Sequence, residues 1–251
     1  MKRKKRFNVR RITIIGVLGA ISIILGLTPL GFIPIGPTRA TIMHIPVIIG
    51  GITQGPIVGA MVGLIFGLFS LFQNITNPTV ISFAFLNPLV SVLPRVLIGI
   101  TSYYTYKGFK KMGLKNTRNI LYLLWTSIII YLSYGIYNAL ASHSYNIWMI
   151  LINIVLIIII LLIIYFTRKG LKTKSLDIII SAIVGSLTNT VGVLFLIYIL
   201  FAERFVLALG LNAANTRKAI IGVGITNGIP EAIIAIIIVT TVVNILQKGK
   251  N

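Results

Sequence analysis

Two charged residues stand in stretches that are otherwise soluble in lipid. Arg95 lies in NPLVSVLPRVLIG (87–99) and Glu231 in TNGIPEAIIA (226–235), each directly after a proline. The chain has three carboxylates, Asp177, Glu203 and Glu231, and only Glu231 falls well inside an apolar run. A charge in such a place is expensive, so by default it is functional and needs a partner. Arginine keeps its charge when buried and can fork two N–H donors onto a carboxylate. The chemistry open to this pair is therefore recognition. Either Arg95 and Glu231 form a buried ion pair that fixes helix packing, or Arg95 clamps an anion in a cavity while Glu231 holds the guanidinium in place. The two readings are compatible.

Other polar residues could share that cavity. His44 sits in TIMHIPVIIG (41–50) and Asn87 opens the Arg95 stretch. Thr188 and Asn189 lie in GSLTNTVG (185–192), and Asn227 is one turn before Glu231. Each alone is more often a packing residue with its hydrogen bonds met. Spread over four segments, they suggest a polar pocket open to the outside. Phe83 and Phe85 could wall its mouth, and residues 31–40 and 73–78 could cover it as outer loops. Catalytic signatures are missing: no G-x-x-x-x-G-K-[ST] phosphate loop, no H-E-x-x-H, no G-x-S-x-G elbow and no clustered acids. The two histidines, His44 and His143, are far apart, and there is no cysteine. The reading is a pocket without an engine: no metal, no cofactor and no ATPase of its own.

The elements that must position these residues follow from composition. Of 251 residues 57% are hydrophobic and 10% charged, with mean hydropathy +1.00. A soluble domain carries roughly 25% charged residues. A bilayer-spanning helix needs about 20 apolar residues, and a backbone in lipid must satisfy its own hydrogen bonds. The pattern predicts a single all-α polytopic membrane domain over 1–251. Its eight segments fall at about 12–33, 39–54, 56–73, 84–106, 119–141, 146–167, 176–202 and 219–246. Arg95 and Glu231 then lie at similar depth, roughly 16–18 Å below the outer helix ends. With 1–11 read as a basic cytoplasmic tail, 18 of the 23 Lys and Arg flank the segments inside and four lie outside, with Arg95 within a segment. That bias supports an even number of helices with both termini cytoplasmic. The net charge of +20 sits at segment ends, which does not fit a nucleic-acid surface. Glycines at 55, 59, 63 and 67 share one helix face and suit close internal packing. Gly16 and Ala20 make a second small-residue face, for internal packing or for docking another membrane subunit.

Taken in order, HIPVIIGGITQGPIVGAMVGLIFGLFS (44–70), NPLVSVLPRVLIG, the TNT of 188–190 and NGIPEAIIA resemble the S component of an energy-coupling factor (ECF) transporter. With the first segment, the likeness covers about 44–99 and 176–246. It implies a substrate-binding membrane subunit that takes a vitamin from outside in the plasma membrane of a bacterium. It also implies partners: a transmembrane coupling subunit and two cytoplasmic ATPase subunits. Small residues on the first helix dock the coupling subunit in this family, and Gly16 and Ala20 match that position. The family has six helices, so 119–167 reads as an inserted pair. The pattern around HIPVIIG and NPLVSVLPR is most similar to the pantothenate type, and one intramembrane arginine suits a small anionic vitamin. Riboflavin and folate stay open as substrates. From other classes, a proton-coupled secondary transporter using Glu231 and a non-catalytic assembly factor also stay open. No inverted repeat is visible to support the former.

Overall fold

The computed structural model describes residues 9–35, 38–141, 175–210 and 216–249, with isolated positions between 150 and 165. The first eight residues, His143 and most of the predicted 146–167 segment lie outside them. The protein is an all-α polytopic membrane bundle. Among the described residues five helices are long and apolar enough to cross a bilayer. The chain divides into two compact units, Phe109–Leu176 and the remainder, Met1–Gly108 with Asp177–Asn251.

In the larger unit α1 spans Val9–Leu27, a length of about 28 Å. It stops earlier than the predicted residue 33 because a 3₁₀ turn at Pro29–Gly31 follows. The chain then forms a small antiparallel hairpin, β1 Phe32–Ile35 and β2 Thr38–Thr41, with Phe32 opposite Thr41. Predicted as a plain outer loop running into a helix from 39, this stretch instead delays α2 to Ile45–Gln54. Ten residues of helix, about 15 Å, cannot cross a bilayer alone. Gly55, at φ 103°, turns the chain directly into α3, Pro56–Thr76, whose first residue is the proline.

The predicted segment at 84–106 is not one helix. It is two single turns, α4 Ser82–Phe85 and α5 Pro88–Ser91, followed by α6 from Leu93 to Ala141. Asn87 and Pro88 make the break: the Asn87 side chain accepts the Leu89 N–H at 2.9 Å, and proline takes the first helical position. Within α6, Gly113 is non-helical at φ 81°. The smaller unit contributes the apolar stretch Lys115–Tyr137 of this helix. Two long helices complete the larger unit, α7 Leu176–Ala208 and α8 Thr216–Lys248, the second continuous through Pro230.

The glycine face of α3 is an internal seam. A Cβ on Gly59 would lie 2.7 Å from the Gly51 Cα of α2 and 2.8 Å from the Gly99 Cα of α6. One on Gly67 would lie 2.8 Å from the Val92 Cα, and one on Gly63 would strike the Arg95 backbone. Small residues therefore set how deep the Arg95 segment sits against its neighbour. On the other side, a Cβ on Gly192 of α7 would stand 3.0 Å from the Pro94 ring. Ile48, Val58, Val62, Ile98 and Val239 are buried between these helices, whereas Ile12, Val17 and Ile24 of α1 are exposed. An apolar exterior is what a lipid-facing helix requires.

Candidate functional site

Proline 94 has no N–H to give the carbonyl four residues back, so the Val90 carbonyl has no helical donor. The Arg95 guanidinium fills that vacancy: Nη1 donates to the Val90 oxygen. Its carbon lies 5.5 Å from the Phe66 ring centroid and 5.6 Å from that of Phe85, close enough for cation–π attraction to both. The residue is 6% exposed. Nε makes no hydrogen bond, and no carboxylate oxygen among the described residues lies within 4.0 Å of the guanidinium nitrogens.

Glu231, 3% exposed, is held in another way. One carboxylate oxygen accepts the Thr41 backbone N–H at 2.7 Å, and the other accepts the Thr190 hydroxyl at 2.7 Å. The carboxylate thus ties α8 to the hairpin and to α7. The direct Arg95–Glu231 ion pair expected from the sequence is not formed, and Glu231 does not hold the guanidinium. Each charge found a nearer backbone partner, the Val90 carbonyl that Pro94 frees and the Thr41 N–H at the end of the hairpin.

Both residues line one cavity of about 740 Å³, within the roughly 300–1,000 Å³ usual for small-molecule sites. Thr41, Asn189, Thr190 and Asn227 share its wall. Phe66, Phe85, Val193, Ile197 and Phe205 supply apolar surface. The segment 73–81 closes one side and is pinned by side-chain bonds. Asn74 accepts from the Ser82 hydroxyl at 2.7 Å and donates to the Ser70 carbonyl at 2.8 Å, while Gln73 donates to the Gly26 carbonyl of α1 at 2.9 Å. Three polar atoms on this wall are buried with no partner among the described residues: Arg95 Nε, Asn189 Oδ1 and Thr41 Oγ1. Unmet groups of this kind cost about 1–3 kcal/mol each unless something else binds them.

Of the residues singled out in the sequence, Arg95, Asn189, Asn227 and Glu231 therefore meet at the cavity. Asn87 does not, because it caps α5. Thr188 is turned away on α7, where it donates to the Val184 carbonyl at 2.7 Å and pairs with the Thr101 hydroxyl at 3.0 Å. His44 is fully buried beside the start of α2 and off the cavity wall, and its ring nitrogens lack well-formed hydrogen bonds. Phe85 lines the cavity as expected, but Phe83 packs edge-to-face with Phe201 and carries the Arg204 guanidinium 4.0 Å from its ring centroid. Thr190 and Thr41 were not anticipated. The TNT triplet marked Thr190 as readily as Thr188, whereas the Thr41 contact uses a backbone amide that no side-chain pattern reveals.

Gly16 and Ala20 are exposed on α1, and a Cβ on Gly16 would meet nothing within 4 Å. Gly19, on the adjoining face, is packed against Ile65.

Comparison with known proteins agrees with this architecture. The pantothenic acid transporter PanT of Lactococcus lactis subsp. cremoris is 35% identical over 85 residues, covering 28% of this chain and 43% of that protein. The pantothenate transporter PanT of Leuconostoc mesenteroides is 33% identical over 99 residues, covering 36% and 48%. The matches thus span less than half the length of these relatives. The family model for the ECF transporter substrate-specific component matches far more of the chain, over residues 10–152 and 120–243. This chain belongs to the ECF transporter substrate-specific component family.

Proposed function

We propose that this chain is the subunit of an ATP-driven importer that captures pantothenate from outside the cell. One observation carries the reading. Arg95 is a buried cation with no carboxylate oxygen within 4.0 Å among the described residues, on the wall of a cavity large enough for a vitamin. A permanent positive charge held in a low-dielectric site attracts an anion strongly. Arg95 is the one cation on that wall among the described residues, which favours a monocarboxylate over folate with its two carboxylates. Riboflavin calls for aromatic stacking, yet Phe66 and Phe85 are already engaged with the guanidinium. The two relatives carry pantothenate in their names.

The remaining roles are read on the same basis. Both termini lie in the cytoplasm of a bacterial cell, and the cavity opens outward. The bare Gly16–Ala20 face of α1 docks the transmembrane coupling subunit, which links the chain to two cytoplasmic ATPase subunits. Leucine at Gly16 is expected to abolish recovery of that assembly by affinity purification while leaving vitamin binding unchanged.

The primary test is direct. The full chain is purified alone, denatured, and its released small molecules are identified by mass spectrometry, with Arg95→Met run in parallel. Pantothenate in the wild type and its absence from a folded variant support the reading. A folded wild type that stays empty after incubation with pantothenate overturns it.

A further inference from the structure

Asn189 stands out on the cavity wall for what its side chain lacks. It is 5% exposed, its Oδ1 is buried without a partner, and no protein group among the described residues accepts from its amide. Its neighbours on α7 are served. Thr188 is bonded to Val184 and Thr101, and Thr190 to Glu231. A carboxamide left in this state inside an apolar bundle offers both an acceptor and a donor with no internal use. Glu231, by contrast, already accepts one hydrogen bond on each oxygen, from Thr41 and from Thr190. Among the described residues of this wall, Asn189 and the Thr41 hydroxyl therefore keep a buried oxygen with no protein partner, and Asn189 alone sets an amide donor beside that acceptor.

We infer that Asn189 is the specificity-determining residue that reads a hydroxyl group on the ligand, while Arg95 holds its carboxylate. A hydroxyl fits because one oxygen both donates to Oδ1 and accepts from Nδ2. A trans amide carries its donor and acceptor on opposite edges and cannot satisfy both from one side. The site then selects hydroxylated carboxylates over apolar ones of the same length. An apolar acid would leave Asn189 buried and unmet, which is the arrangement that discriminates most strongly. Val193 and Ile197, on the same helix as Asn189 and the same cavity wall, suit a branched aliphatic body beside the hydroxyl.

This inference rests on the pantothenate reading, so the test separates the two. Affinities of the purified full chain are measured by titration calorimetry for pantothenate and for its dideoxy analogue, which keeps the carboxylate and amide. The proteins are wild type, Asn189→Leu and Asn189→Ala, the alanine serving if leucine overpacks, with folding checked by size exclusion. We expect wild type to prefer pantothenate, and each variant to lose roughly 10–100-fold for pantothenate with less than about 3-fold change for the analogue. Equal losses for both ligands, or none for pantothenate, overturn the Asn189 assignment and leave the pantothenate reading standing. A wild type that binds neither ligand overturns the pantothenate reading, and this assignment falls with it.

Discussion

Arg95 and Glu231 face the same cavity, follow a proline in the same way and are buried to the same extent, yet the protein treats them differently. Glu231 has an internal donor on each oxygen: a backbone amide from the hairpin on one, a threonine hydroxyl on the other. Arg95 has one carbonyl, two ring faces and an unmet Nε. A charge whose partners are all internal stabilises the fold, because removing it orphans those partners. A charge that the fold merely holds in place is available to something else. On the function proposed above, the difference separates a structural ion from a recognition ion at one site, and it makes opposite demands on mutants.

The largest effect is expected where the charge is open. Arg95→Met keeps length and loses charge; it should weaken pantothenate binding by 100-fold or more, about 3 kcal/mol, as for loss of a charged hydrogen-bonded partner. Its thermal midpoint should move little, since it deserts one backbone carbonyl and two ring faces against which methionine can still pack. Binding by calorimetry together with a melting curve checks both halves. A large fall in midpoint with affinity retained would break the contrast and return Arg95 to a packing role.

Glu231→Leu should show the reverse pattern. It strands the Thr41 N–H outright, while Thr190 can fall back on the Ser186 carbonyl, already 3.4 Å away. The expected loss is about 2 kcal/mol of stability, read as a lower melting midpoint. Because Thr41 ends β2, the hairpin should loosen first, with its amides exchanging faster than those of α3. Amide exchange resolved by peptide would show this. Unchanged protection at 38–41 would deny Glu231 its role as the tie.

The sequence made these two residues easy to find and hard to connect. A charge beside a proline in an apolar run is conspicuous, and depth counting placed both at one level. Their pairing was misread because the decisive partners are backbone groups. Proline 94 frees the Val90 carbonyl, which a count of donors along the helix can reveal, but the Thr41 amide reaches Glu231 through a four-residue strand too short to show a period. Asn87 illustrates a different loss. Asn followed by Pro is a helix-start signature as well as a polar pair, and here the cap wins. Between Thr188 and Asn189 a rotation of 100° decides which side faces the cavity, and with apolar residues all round α7 no polar face fixes that phase. The α3 glycines at 59, 63 and 67 were legible because a repeated spacing of four admits one face only, whereas Gly55, expected on that face, is spent on the turn before the helix.

The smallest expected effect tests the contrast most closely, since Thr190 touches both sides of it. Its hydroxyl donates to Glu231, and the residue also lines the cavity. If Glu231 is purely structural, Thr190→Val removes one of its two donors and should cost about 1 kcal/mol of stability, with affinity changed by less than about 3-fold. Combining it with Glu231→Leu should cost less than the two losses added. Replacing both partners of a buried bond with apolar groups removes the orphan that either single change leaves. Melting curves of the four proteins in this cycle measure that coupling. Strict additivity in the cycle, or a fall in pantothenate affinity as steep as that expected for Asn189→Leu, would place the Thr190 hydroxyl among the groups that read the ligand. Glu231 would then orient a recognition donor, and the line between the two charges would run through Thr190.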